Sequence, residues 1–175
     1  RKMAAQIPSN GINLDKGLSF PATVAAQSGA NILDEYEEGS FTTVLRDATS
    51  GGNTASISNA TSQYVRVGRL VFFSINLFNI NKSGMTSSNA LYLTGLPFAS
   101  SDSSNAGMYS RYCTTVNSDE IDFTSYVTFD VGGGFSRGEF HDNRDSLIDQ
   151  TITVEDIDTA ADSDLVINGF YMMNT

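Results

Sequence analysis

Apolar and polar residues alternate with a period of two through the middle of the chain, which predicts β-strands with one buried face. The clearest stretch runs from Leu70 to Ile80, where every second residue from Val71 to Leu77 is apolar. Gly68 and Arg69 join it to a shorter stretch, residues 64–67, and suit a tight hairpin because glycine tolerates positive φ. A closing strand is predicted at residues 90–94. This unit predicts the centre of an all-β head.

The same periodicity predicts further strands on both sides of this centre. They fall at residues 41–46, 54–58, 108–116, 123–131, 135–140, 151–155 and 165–173. Gly132–Gly134 is predicted to be a hairpin tip, because neither a Lys-Ser/Thr pair nor a helical pattern follows it as in a phosphate-binding loop. The last strand is apolar on both faces, which predicts that one face meets the core and the other a partner subunit. The expected fold is an antiparallel β-sandwich, jelly-roll-like.

Residues 1–32 have a different pattern and are predicted to form an extended stem or linker before a head at residues 33–175. A Gly-apolar-polar-apolar unit occurs twice, six residues apart, and its apolar positions are Ile12, Leu14, Leu18 and Phe20. Two such units cannot bury these side chains alone. Two solutions stay open, namely association with copies of the same segment, as in a trimeric fibrous shaft, and an extended arm lying on its own domain.

Composition excludes several classes of function. The 175 residues include 20 acidic and 10 basic ones, and the net charge of −10 disfavours nucleic acid and anionic membranes as partners. No apolar run approaches the roughly 20 residues of a membrane span, so no membrane insertion is expected. The single Cys113 cannot form an internal disulfide, and no zinc ligand pattern is present. No cofactor is expected.

Residues that could carry catalysis have simpler explanations. Asp34, Glu35, Glu37 and Glu38 crowd a segment before a strand, where paired carboxylates more often form a solvated junction than a glycosidase site. Cys113 has no evident base and is expected to be a small buried side chain. Residues 142–164 are acidic but lack the glycine and the final glutamate of a calcium loop. We therefore expect no enzymatic activity and assign no metal-binding residues, while calcium at a trimer axis or in a loop stays an open alternative.

One small cluster of aromatic and cationic side chains follows the glycine turn on this otherwise acidic chain. It consists of Phe135, Arg137, His141 and Arg144. Such groups can stack on sugar rings or hold acidic sugars, which makes them candidates for receptor contact. The alternative is that Arg137 and Arg144 pair with nearby carboxylates of Glu139, Asp142 or Asp145.

Several motifs occur in an order that resembles bacteriophage tail-fibre proteins and their receptor-binding head domains. Residues 17–23 (GLSFPAT) and 33–42 (LDEYEEGSFT) are similar to the family's stem-to-head junction, G-I-D-F-S-A-T and L-D-D-Y-E-E-G-T-W-T. Residues 64–71 (YVRVGRLV), 93–98 (LTGLPF) and 167–171 (INGFY) resemble its later motifs Y-x-x-I-G-x-x-V, I-x-G-L-P-F and I-x-G-x-Y. The chain departs from the family at Phe41, where tryptophan is usual, and at residues 168–170, where Ser-Gly-Thr is usual.

The resemblance implies a β-sandwich head on a fibrous stem, usually a homotrimer and part of the virion. The expected function is host-surface recognition by a tail fibre, in which head loops contact a bacterial surface polysaccharide or protein. Other phage virion proteins are expected as further partners. Two alternatives remain, a capsid fibre or decoration protein without a receptor role and a glycan-degrading tailspike domain.

Overall fold

The computed structural model describes residues 36–101, 113–119, 126–131, 133–143, 150–157 and 163–173. Within these ranges the secondary structure is strands and one short 3-10 helix, Val154–Asp156. The strands are β1 (Tyr36–Ser40), β2 (Val44–Arg46), β3 (Ser56–Val67), β4 (Leu70–Asn81), β5 (Tyr92–Thr94), β6 (Cys113–Asp119), β7 (Tyr126–Val131), β8 (Arg137–Asn143), β9 (Gln150–Thr151) and β10 (Ser163–Met172). The all-β prediction is confirmed.

The strands form two antiparallel sheets. Sheet A has the order β1-β3-β4-β10-β6, and sheet B has the order β2-β5-β8-β7 with β9 paired to β8. The chain's hydrophobic core lies between the inner faces of the two sheets. This arrangement confirms the predicted antiparallel β-sandwich.

The inward positions of β4 are those that the alternation predicts, and Val71, Ile75 and Leu77 are completely buried. Phe73 joins the sheets because its ring centroid lies 6.3 Å from that of Phe129 in β7. The wholly or almost wholly buried large side chains come from both sheets and their connections: Leu45, Ile75, Leu77, Ile80, Leu91, Leu93, Phe129, Phe140, Ile157, Leu165, Ile167 and Tyr171. Burying a side chain of this size stabilises the fold by about 1.5–3 kcal/mol.

The predicted hairpin at Gly68-Arg69 is confirmed. Val67 pairs with Leu70, and Gly68 has a φ of 58°, which a residue without a Cβ adopts readily. The predicted hairpin after β7 is also present, since Val131 pairs with Gly138 of β8. Strand β5, however, pairs with β2 and β8 of sheet B. The closing strand therefore leaves the sheet of its predecessor and joins the opposite one.

Two local predictions are wrong. Glu37 and Glu38 lie on strand β1, paired with β3, and not on a solvated turn, because β3 continues unbroken from Ser56 to Val67 and offers them a partner. The strand expected at residues 151–155 ends at Thr151, and the 3-10 helix follows. The side chain of Thr153 and its backbone N–H both bond to the Asp156 carboxylate, which favours a helical turn there.

Candidate functional site

Two of the four predicted receptor residues, Arg137 and His141, lie on the outer face of β8, and a third, Phe135, lies in the turn that precedes this strand. The Arg137 guanidinium lies over the Phe135 ring, 3.8 Å from its centroid, and Phe135 is 47% exposed. In the part of the chain that the structure describes, no carboxylate forms an ion pair with Arg137, and its buried Nε has no hydrogen-bond partner. The predicted alternative of an Arg137–Glu139 pair is therefore not what the structure contains. Phe135 and Arg137 form an exposed aromatic-cation pair, called the Phe135–Arg137 pair below.

His141 lies on the same face of β8 but in a different electrostatic setting. Its Nε2 is 3.9 Å from a carboxylate oxygen of Asp130 and 3.9 Å from one of Glu139. Four residues separate it from Arg137, a distance of roughly 13 Å along a strand. His141 therefore faces acidic neighbours and stands apart from the Phe135–Arg137 pair. Arg144 lies outside the described residues.

A second exposed surface covers the outer face of sheet A and includes the side of the last strand that the sequence predicts to face a partner subunit. Strand register places its side chains in rows that run across the strands, next to the Gly68-Arg69 turn. We call them the end row (Tyr36, Val67, Leu70 and Met172), the middle row (Glu38, Val65, Phe72 and Phe170) and the polar row (Ser40, Gln63, Ser74 and Asn168).

The end and middle rows are unusually apolar for a surface. Of the six exposed large hydrophobic side chains in the described ranges, five lie in these two rows, with exposures between 36% and 46%. The rings of Phe72 and Phe170 lie side by side, 6.0 Å apart. Contiguous exposed apolar surface of this kind marks an interaction site more often than a monomer surface.

A groove lies between the middle and polar rows. Its volume is about 720 Å³, and it is lined by Glu38, Gly39, Ser40, Gln63, Tyr64, Val65, Phe72, Phe73 and Ser74. These residues come from β1, β3 and β4, and only strand register brings them together. No local motif in the sequence could have identified the groove.

Glu37 and Glu38, two of the carboxylates that could suggest a glycosidase site, point to opposite faces of β1 because the side chains of consecutive residues in a strand alternate. The Glu37 side chain accepts a 2.5 Å hydrogen bond from the Tyr64 hydroxyl and lies 3.4 Å from the Arg66 guanidinium. That hydrogen bond, together with burial, raises the pKa of Tyr64 to about 12. Glu38 instead accepts a 2.7 Å hydrogen bond from the Tyr36 hydroxyl. The two groups cannot flank one glycosidic bond.

The predicted stem residues lie outside the described residues, so the stem stays a prediction. They are Ile12, Leu14, Leu18 and Phe20. Across the described ranges, no group of three or more His, Cys, Asp or Glu side chains is arranged to hold a metal ion. The same ranges contain no helix that could span a membrane.

Comparison with known proteins gives a likeness of fold. No protein-family model matches the chain, and no curated protein matches it either. Among solved structures, the chain is similar to the Dettilon tailspike protein (gp208), with a TM-score of 0.52 and 18% sequence identity. The similarity covers 79% of this chain and 24% of the tailspike chain, so this chain spans a minor part of that protein's length. The comparison shows that the two-sheet fold described above also occurs within a phage tailspike.

Proposed function

We propose that the protein is a virion fibre component whose β-sandwich head recognises a glycan on the bacterial surface. The observation that carries this proposal is the likeness of its fold to part of a phage tailspike. The order of motifs from the stem-to-head junction to the last strand also supports it, because it is a resemblance of sequence and not of fold. Its location is the virion, as a tail fibre or at the capsid surface.

Within this function, the Phe135–Arg137 pair is the proposed receptor contact. A guanidinium stacked on an aromatic ring is held in a fixed orientation, and it presents donors that suit a carboxylate. Arg137 keeps its charge available because no described carboxylate pairs with it. The proposed ligand of this pair is therefore an acidic sugar. His141 and Arg144 remain candidate contributors to the same surface.

Binding of the labelled protein to a panel of intact bacteria tests this function. We expect wild-type protein to bind susceptible strains and Arg137→Ala to bind about tenfold or more weakly, since a hydrogen bond to a charged group contributes about 1.5–3 kcal/mol. Arg137→Lys should restore only part of the binding because it lacks the planar fork. Arg69→Ala, which removes the same charge at the β3–β4 turn, is the matched control and should bind like wild type.

The same protein and the same bacteria also distinguish the proposed function from its two alternatives. A protein that binds assembled virions but none of the bacteria would be a decoration protein and would contradict the receptor role. Release of reducing ends from the bound polysaccharide would establish the glycan-degrading alternative. We expect no such release, because recognition by this head includes no catalytic step.

A further inference from the structure

We propose that the groove between the middle and polar rows of sheet A binds a neutral saccharide. This inference rests on the proposed glycan-recognition function and adds a second contact with a different ligand preference. It is independent of the Phe135–Arg137 pair, which belongs to sheet B.

The size of the groove suits a small part of a polysaccharide. Its volume of about 720 Å³ falls within the roughly 300–1,000 Å³ typical of ligand sites. Ser40, Gln63 and Ser74 stand opposite one another on three neighbouring strands. At about 4.8 Å per strand spacing, the three positions extend over about 10 Å. An extended ligand lying across the strands would meet all three.

The polar side chains of the groove are available to a ligand. Within the described residues, the side chains of Ser40, Gln63 and Ser74 make no hydrogen bond to another protein group. A carboxamide offers two donors and an acceptor oxygen, and each hydroxyl can donate and accept. Sugar hydroxyls have the same double capacity, so a saccharide can satisfy these groups in several orientations.

Phe72 supplies an apolar wall beside these polar groups. It is 46% exposed, and it lies two residues from Ser74 on the same face of β4. The carbon-bound hydrogens of a sugar ring form an apolar face that can pack on an aromatic ring. An exposed ring next to a row of amide and hydroxyl groups thus matches both surfaces of a saccharide.

Charge restricts the ligand to a neutral one. Among the described residues, no lysine or arginine lines the groove, whereas the Glu38 carboxylate does. An acidic sugar would be repelled here. A second copy of the chain is a poorer occupant of the polar row, because covering Ser40, Gln63 and Ser74 with an apolar surface would cost about 1–3 kcal/mol for each unsatisfied group. The end row fits a second copy better, because its one polar side-chain group, the Tyr36 hydroxyl, already donates a hydrogen bond to Glu38.

The experiment measures binding of the full chain to an array of neutral and acidic bacterial polysaccharides, including dextran and mannan as neutral probes and hyaluronan as an acidic probe. The test variant is Gln63→Ala combined with Ser74→Ala, two surface changes that leave the core untouched. Thr61→Ala is the matched control, since Thr61 is an exposed polar residue one row beyond the groove on the same face of β3. Arg137→Ala reports on the other site.

We expect the double variant to bind neutral polysaccharides about tenfold or more weakly, since two hydrogen bonds of about 0.5–1.5 kcal/mol are lost. Thr61→Ala should bind neutral polysaccharides like wild type, and the double variant should bind acidic polysaccharides like wild type. The inference is overturned if wild type binds no neutral polysaccharide. It is also overturned if Thr61→Ala loses as much neutral-polysaccharide binding as the double variant does. A change in the double variant's mass by light scattering would overturn it in favour of a copy-to-copy contact. If one of these results is obtained while wild-type protein still binds acidic glycans and Arg137→Ala does not, the groove proposal fails but the proposed function still holds.

Discussion

At the scale of single residues, Asp47 shows how one buried carboxylate can hold two loops together. Its oxygens accept hydrogen bonds from the backbone N–H of Asn53 at 2.6 Å, from the Asn53 side-chain amide at 2.9 Å and from the Thr86 N–H at 2.9 Å. The residue is 4% exposed. The Thr86 backbone hydrogen bond, followed by the Asn53 side chain, lowers the pKa of Asp47 below its usual value.

Asp47→Asn is therefore expected to destabilise the protein at neutral pH by about 2 kcal/mol, because the amide has one acceptor oxygen and presents donors to donors. Since the folded-state pKa is lowered, the carboxylate's contribution is fully present above the unfolded value near 3.8 and is lost as the pH falls through the folded value. Urea unfolding of wild type and Asp47→Asn should be measured from neutral to acidic pH. The difference between their free energies of unfolding should narrow as the pH falls below the unfolded pKa and through the folded one. Glu155→Gln, at an exposed position, is the control and should leave stability unchanged at neutral pH. A constant difference at all pH values would contradict the charge argument.

At the scale of elements, strand β8 shows how a glycine makes room for an aromatic ring of the core. Gly138 lies on its inner face, and a Cβ added there would overlap the ring of Phe129 on the neighbouring strand β7. The ring packs against Phe140 at 5.0 Å and Phe73 at 6.3 Å, so it cannot move without disturbing both sheets. The glycine is needed for packing, not for an unusual backbone angle.

Gly138→Ala should destabilise the fold by about 1–3 kcal/mol through overpacking. Thermal unfolding of Gly138→Ala, Phe129→Leu and the double variant measures the coupling. We expect the double variant to be more stable than the sum of the single changes implies, because the smaller side chain makes room for the methyl group. If the two losses of stability simply add, the methyl group introduced at position 138 does not act through the Phe129 ring.

At the scale of the whole molecule, the described part of the outer face of sheet A includes five large apolar side chains that are 36–46% exposed. The end row combines Tyr36, 39% exposed, and Val67, 38% exposed, with Leu70 and Met172. Tyr36 also follows closely on residues 1–32, the predicted stem. Three copies whose stems run side by side would bring their end rows to the same end of the assembly, which is the physical basis for expecting a trimer.

Light scattering of the wild-type chain in dilute solution is expected to give the mass of a trimer. Val67→Lys combined with Met172→Lys should shift the mass towards one copy while the unfolding temperature of the head stays nearly constant, because both side chains are at the surface. Phe135→Lys places the same charge on the exposed hydrophobic residue of sheet B and should leave the trimer intact. A wild-type monomer in this measurement would contradict the trimer and the shared-stem interpretation together.

The sequence alone determined the strand character of the chain and the inward residues of its central strands. The period-two pattern places Val71, Phe73, Ile75 and Leu77 on one face because side chains of a strand must alternate. It also determined the Gly68-Arg69 hairpin, since turn chemistry acts over two residues. These features depend on neighbours in the chain, which a sequence displays directly.

Only the tertiary structure decided which sheet each strand joins and which side chains meet. The sequence placed Phe135, Arg137 and His141 in one cluster, but the fold pairs the first two and sets His141 beside Asp130 and Glu139. Likewise, Ser40, Gln63 and Ser74 are far apart in the chain and become neighbours only through the register of three strands. Such contacts arise from pairings between distant segments, and a local pattern of apolar and polar residues allows many of these pairings equally well.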